Sequence, residues 1–217
     1  MKPTKIYTGR STIRMYLGDC MDLMKTGKWD LAIVDPPYKN EFVISANEKC
    51  AKVKKDYNLS SLNGNPPSDK YFILLNNISK NQIIWGVNYY KYYLGAGRIV
   101  WDKNNTGVYS DCELAFHSFS DVTRKYKFTW NGMIQGDMKN KETRIHPTQK
   151  PVALYKWLLT NYAKQGDTIL DTHGGSMSIA IACWDLGFDL DIIELDEDYF
   201  NDAVKRFEQH ISQTQLF

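Results

Sequence analysis

The chain has 217 residues with 27 basic and 25 acidic side chains, a formal charge of +2, so its overall field gives no argument for a nucleic-acid partner. That length buries a core without disulfide or metal staples, and one domain spanning 1–217 is expected. The four cysteines form no C-x-x-C pair, the four histidines show no ligand spacing with them, and no run approaches the roughly 20 apolar residues of a membrane span. The N-terminus, Met-Lys-Pro-Thr-Lys-Ile, lacks the apolar centre of a signal peptide, so a reduced, metal-free protein of the cytoplasm is expected, with no membrane partner.

In chain order, residues 5–19 alternate like a hairpin, with Lys5–Thr8, a Gly9 turn and Thr12–Leu17, ending at Gly18-Asp19. A short helix over 20–27 leads into the apolar run Trp29–Val34, which reads as a buried parallel strand. Residues 39–68, with Lys52, Lys54, Lys55, several asparagines and weak periodicity, read as a long mobile loop. A helix over 68–80 precedes strands at 81–88 and 97–102. Cys112–His117 and Tyr126–Trp130 are expected as an antiparallel pair at the far sheet edge. The last third alternates helix 149–164, strand 168–171, helix 176–186, strand 190–194 and helix 197–210, half of a doubly wound α/β sheet.

Ligands of open α/β sheets bind outside the carboxyl ends of the strands, where Asp35-Pro36-Pro37-Tyr38 falls. The tetrapeptide offers a carboxylate, a rigid turn whose prolines leave a carbonyl free, and a ring for stacking, a set suited to holding a planar base by its amino group. A second ligand-facing turn follows the strand at 168: Asp171-Thr-His173-Gly174-Gly175-Ser176 opens a helix, and Glu194 ends the next strand, where an acid can accept both ribose hydroxyl hydrogens. The turn lacks a G-x-G-x-x-G pattern and offers little to a pyrophosphate, so a ligand with a ribose and no phosphates, such as S-adenosylmethionine, fits it better. A strand-to-helix turn needing glycine only for its backbone angles is the bland alternative.

Asp35-Pro-Pro-Tyr38, His146-Pro-Thr-Gln-Lys-Pro151 and the Asp171 glycine turn, in that order, resemble the β-class DNA amino-methyltransferases, which act on adenine N6 or cytosine N4. The likeness runs from Gly18-Asp19 to Glu194. It implies a Rossmann-like methyltransferase fold with a mostly parallel sheet, an antiparallel edge strand, and a permuted order with the catalytic half first and the cofactor half last. It further implies that Asp171, His173, Gly174, Gly175 and Ser176 face the methionine part of S-adenosylmethionine, that Glu194 holds the ribose, that Asp19 and Cys20 meet the adenine, and that Thr148 and Lys150 bind the methionine carboxylate, with Asp35 at the border of cofactor and base. DNA is the implied partner. Self-association and a cognate endonuclease of a restriction-modification pair are known in such families, and no residue here marks either.

The chain departs from the family pattern at Asp171-Thr-His and Gly175-Ser-Met177, where Asp-Pro-Phe and Gly-Ser-Gly are usual. Cofactor affinity is the property these changes touch. In families of this kind an aspartate at the head of the tetrapeptide is commoner with adenine N6 than with cytosine N4, so the resemblance implies adenine; the alternatives are N4-cytosine transfer, a catalytically silent nucleic-acid-binding partner, and protein-glutamine methylation. DNA contacts are expected from Lys52, Lys54 and Lys55 and from Arg124, Lys125 and Lys127, which interleave with rings, although a solvated loop and β-edge packing are their respective rivals. Only 118–145 is left for target recognition. His146 reads as a turn residue and Trp85 and Trp101 as core.

Overall fold

The computed structural model describes residues 1–38, 66–105, 110–131 and 134–214. Eleven strands are present among them: β1 Lys5–Thr8, β2 Thr12–Leu17, β3 Trp29–Val34, β4 Ser79–Trp85, β5 Arg98–Asp102, β6 Cys112–His117, β7 Thr123–Lys127, β8 Trp130–Asn131, β9 Ile134–Gln135, β10 Thr168–Asp171 and β11 Asp189–Glu194. The helices are α1 Cys20–Leu23, α2 Asp69–Ile78, α3 Val152–Tyr162, α4 Ser178–Leu186 and α5 Glu197–Thr214, with a 3₁₀ turn at Val87–Tyr89.

Nine strands form one sheet in the order β1-β2-β11-β10-β3-β4-β6-β5-β7, and β8 and β9 form a separate ribbon. The contiguous block from β2 to β4 is parallel, and β1 closes one edge antiparallel to β2. β3 shows why these segments are strands. Leu31 and Ile33 point to one face and Ala32 and Val34 to the other, and all four are buried because helices cover both faces. Helices α3, α4 and α5 pack on the Leu31 face through Leu158, Ile179 and Phe207, and α1 and α2 cover the other through Leu23, Phe72 and Leu75. Each such apolar side chain contributes about 1.5–3 kcal/mol on burial.

The expected pairing at the far edge is corrected. β6 does not pair with the segment at 126–130; it lies between β4 and β5, antiparallel to both, and β7 pairs parallel with β5. Ala115, Phe116 and His117 of β6 are buried, which requires neighbours on both sides, whereas four of the five β7 residues are exposed and suit an edge. Several boundaries also move. β4 ends at Trp85 because Gly86 turns left-handed at φ 77°, with the Tyr38 ring so close that a Cβ there would come within 2.6 Å of it. Helix α3 starts after Pro151, and α4 starts after Met177.

From β10 the chain moves outward to β11, and from β3 it moves the other way to β4, so the order reverses between β10 and β3. A crevice opens at such a point, beyond the carboxyl ends of the strands. Asp171 closes β10 and Asp35 follows β3, which puts both acids at this reversal.

Candidate active site

Asp35 is held from one side only. Lys150 donates from its ammonium to Oδ2, while Oδ1 is closed off from solvent and has no hydrogen-bond partner among the described residues. An unpaired buried acceptor costs about 1–3 kcal/mol, and a ligand N–H placed there removes that cost. The lysine, only 2% exposed, also meets Oε2 of Glu113 at 3.1 Å, and the other oxygen of Glu113 meets Lys103 at 2.5 Å. Burial lifts the Asp35 carboxyl above its ordinary range, with Lys150 pulling it back and Glu113 adding to the rise. For Glu113 burial acts upward too, but the two lysines outweigh it and bring its pKa to about 2. Burial works against the Lys150 charge, and Asp35 and Glu113 more than restore it. These four groups carry alternating charges and sum to zero.

The Pro-Pro turn is fixed by Tyr90, whose single hydroxyl hydrogen is shared between the Pro36 carbonyl at 2.9 Å and the Trp85 carbonyl at 3.0 Å. Pro36 O keeps a second lone pair. Tyr38 lies parallel to Tyr89 with ring centroids 4.3 Å apart and planes within 3°, a stacking geometry beside the carboxylate. Burial holds the Tyr38 phenol well above its usual pKa, so it is neutral.

On the other side of the reversal, Glu194 is surrounded by backbone donors. Its Oε2 accepts from Gly175 N at 2.6 Å, and Oε1 accepts from Leu195 N and Asp196 N at 2.9 Å each. Gly174 N donates to Ile193 O and Gly18 N to Glu194 O, which draws the ends of β2, β10 and β11 together and brings Asp19 and Cys20 beside them. Asp19 caps α1 by accepting from Met21 N at 2.8 Å, and burial pushes the Cys20 thiol up to about 12, so it stays protonated. Asp171 accepts from His173 N at 3.0 Å. Burial raises it well above the usual carboxylate range, and Asp35 and Glu194 add to the rise.

The two departures in the turn are absorbed by local packing. Thr172 meets both the Tyr71 hydroxyl at 2.6 Å and His173 Nδ1 at 2.9 Å, and the Tyr71 and His173 rings meet edge to face. Burial lowers the pKa of His173 to about 4, so it is neutral. Met177 takes a left-handed backbone, φ 51°, which glycine adopts without cost, and its side chain is 1% exposed within the core under Gly174. Its bulk is directed inward. Ser176 Oγ meets Ser178 Oγ at 3.1 Å, and Arg206 holds Ser176 O at 2.8 Å. The 146–150 segment lies against this turn: the His146 ring faces Gly175 and Tyr199, and its Nδ1 accepts from Thr148 N at 3.3 Å. That is the turn role expected of His146. Thr148 is exposed, whereas Lys150 is engaged with the two acids, not with the glycine turn.

The donor set fits S-adenosylmethionine. Asp35, Asp171 and Glu194 are carboxyls raised by burial and Lys150 is the cation among them, so a ligand bringing positive charge relieves the crowding of acids. A sulfonium with an ammonium does so; a phosphate does not.

Of the expected DNA contacts, Arg124, Lys125 and Lys127 are exposed on edge strand β7, and Lys125 meets Asp102 at 3.0 Å. The ring between them, Tyr126, packs on Trp157 of α3 at 4.9 Å, which answers in favour of edge packing for that ring. Lys52, Lys54 and Lys55 lie outside the described residues. Sequence reasoning missed Glu113, Lys103, Tyr90, Tyr71 and the Glu142–Arg206 pair at 2.7 Å, in which Glu142 also accepts from Val152 N at the start of α3. One signal was readable: an acid, Glu113, directly before the apolar run Leu114-Ala-Phe116 of its strand.

Residues 47–205 match the family described as DNA methylase, the N6/N4 methyltransferases, a match that begins downstream of Asp35. A 73-residue segment is 32% identical to the Type II methyltransferase M.HpaI of Haemophilus parainfluenzae, covering 34% of this chain and 23% of that protein, so the match spans under a quarter of the relative's length. Two solved structures share the fold. The M1.HpyAVI–SAM complex has a TM-score of 0.59 at 21% identity, over 89% of this chain and 99% of that one. The cytosine-N4-specific PvuII DNA methyltransferase has a TM-score of 0.61 at 12% identity, over 97% and 93%. With its family match extending over most of the sequence, and the strand reversal, acids and glycine turn already in place, the chain belongs to the DNA methylase family of N6/N4 methyltransferases.

Proposed function

We propose that this protein transfers a methyl group from S-adenosylmethionine to the exocyclic amine of a DNA base, with adenine N6 as the target. The single observation that carries the reading is the unpaired Oδ1 of Asp35, beside a proline carbonyl with a lone pair to spare and an aromatic stack. S-adenosylmethionine supplies an electrophilic methyl on a sulfonium.

An aromatic amine is a poor nucleophile because its lone pair is delocalised into the ring. Asp35 Oδ1 and Pro36 O accept its two N–H hydrogens, draw the nitrogen toward tetrahedral geometry and stabilise the positive charge that develops on it. Asp35 or water takes the proton afterwards. Tyr38 provides a face for the base, which must leave the duplex because its amine is out of reach within the helix. Asp171, His173 and the turn at Gly174, Gly175 and Ser176 hold the methionine part of the cofactor, with Thr148 at its margin. Glu194 accepts from the ribose, and Asp19 with Cys20 borders the adenine. Arg124, Lys125 and Lys127 contact phosphates, with Lys52, Lys54 and Lys55 contributing from outside the described residues. These assignments rest on the family likeness together with the placement of the residues, and on one domain carrying the whole site.

The test is transfer of labelled methyl from S-adenosylmethionine to unmethylated DNA, with the modified nucleoside identified and Asp35→Ala run beside it. N6-methyladenine is expected, with a loss of at least about 1,000-fold in the variant. N4-methylcytosine as the sole product would refute the adenine assignment and leave the mechanism standing. No transfer to any DNA would refute both.

A further inference from the structure

We propose that Glu113 is a positioning residue for methyl transfer: bridging Lys103 and Lys150, it fixes the Lys150 ammonium on Oδ2 of Asp35 and leaves Oδ1 as the open acceptor. This rests on the functional reading above and adds a residue to it. The distances define a chain of four charges from the rim to the carboxylate. Lys103 meets Glu113 Oε1 at 2.5 Å, Glu113 Oε2 meets Lys150 at 3.1 Å, and Lys150 donates to Asp35 Oδ2.

The geometry explains why Asp35 alone would not keep Lys150 in place. A lysine is a point charge on a flexible four-carbon stem, and one partner leaves it free to pivot. Here the ammonium is bounded by Asp35, by Glu113 and by the Trp85 ring, whose centroid is 5.4 Å away. Fixed in this way, it occupies Oδ2 and not Oδ1. The second effect is electrostatic. A buried lysine paired with Asp35 alone withdraws negative potential from the whole carboxylate, including the oxygen that must stabilise a developing cation. Glu113 divides that pull, and Lys103 in turn sets how much Glu113 contributes.

The charged and titratable groups acting on Asp35 are Lys150, Glu113 and Lys103, together with Asp171 and the phenols Tyr38, Tyr90 and Tyr155. Loss of the Glu113 charge leaves the chain with one excess positive charge and eases ionisation of Asp35. Loss of the Lys103 charge does the opposite. The two substitutions are therefore expected to move Asp35 in opposite directions, an outcome that general damage to the fold does not produce.

The experiment compares wild type, Glu113→Gln and Lys103→Met by two readouts: titration of the Asp35 carboxyl carbon by ¹³C NMR, and kcat and KM for S-adenosylmethionine and DNA across pH. For Glu113→Gln the Asp35 midpoint should fall by about half a unit or more, kcat should drop roughly 10- to 100-fold, and the cofactor KM should stay within about threefold. For Lys103→Met the midpoint should rise and kcat should fall less. Lys103 lies at the outer end of the chain, so its variant decides the question if Glu113→Gln does not fold. Midpoints unmoved in the folded variants would overturn the proposal. So would a raised cofactor KM with kcat unchanged, which would give Lys150 to the cofactor carboxylate instead. If the wild type transfers no methyl, the functional reading fails, and the Asp35 titration still decides the positioning claim.

Discussion

Asp35 and Glu194 lie at the ends of two parallel strands of one sheet, and they are held in opposite ways. Asp35 is paired with a side-chain cation and keeps one oxygen unpaired among the described residues; Glu194 accepts from three backbone N–H donors. A carboxylate held by backbone is tuned by the path of the chain, and substitutions around it act through turn geometry. One held by side chains is tuned by charge, and its neighbours are individually replaceable. The difference fits the work proposed for each: Glu194 meets neutral hydroxyls, whereas Asp35 must respond to charge that develops during the reaction.

Removing the lysine should have the largest effect on the Asp35 side. Lys150→Met leaves Asp35 without its cation and Glu113 with Lys103 alone, and it should destabilise the fold by about 3 kcal/mol near neutral pH. Because unpaired buried carboxyls protonate, that loss should shrink in mild acid, which denaturant titration at pH 5 and 7 will show. An equal loss at both values would mean that packing of the lysine stem, not its charge, is what matters.

The backbone-held half has its own pH signature. Burial lowers both His173 and His146 to about 4, against about 6.5 for a free imidazole. The unfolded chain therefore takes up protons first, so the stability due to these neutral rings is complete above about pH 6.5 and is lost as pH falls toward 4. Each partly exposed ring should contribute roughly 1–2 kcal/mol across that window. His173→Gln should flatten the fall by about one ring's share, measured by urea unfolding from pH 7 to 4.5. An unchanged slope would place the proton uptake elsewhere.

The smallest effect concerns the turn itself. At Met177 the left-handed backbone, φ 51°, penalises any side chain, while the buried methionine contributes packing. Met177→Ala loses the packing and keeps the penalty; Met177→Gly loses both. The glycine variant should be the more stable of the two by about 1 kcal/mol, the reverse of the order within a helix and in line with the preference of a helix N-cap. Thermal unfolding of the pair sharpens the claim that chain path governs this half.

Much of the frame was legible because local chemistry dictates it. Trp29–Val34, followed by Asp35, and Thr168–Asp171 are largely apolar runs, and such runs become buried parallel strands when helical segments alternate with them. Glycines 174 and 175 marked the turn that Glu194 accepts from. The far edge was not legible. A pairing rule based on adjacency joined Cys112–His117 to the segment after it, but the fold slots β6 between β4 and β5, and nothing in six residues reports which two strands will flank them.

Lys150 shows the boundary most clearly. Its place in His146-Pro-Thr-Gln-Lys-Pro151 suggested a cofactor carboxylate as its partner, and the fold brings Asp35 and Glu113 to it from segments distant in the sequence. Trp29–Val34 with the Asp35 that follows it, Thr168–Asp171, and the glycine turn could be read along the chain, because hydrophobic period and backbone freedom are properties of neighbouring residues. Tertiary structure alone decided which charges meet: an ion pair depends on a few ångströms between residues that only the order of strands brings together, and that order is set by how all the faces of the sheet are covered at once.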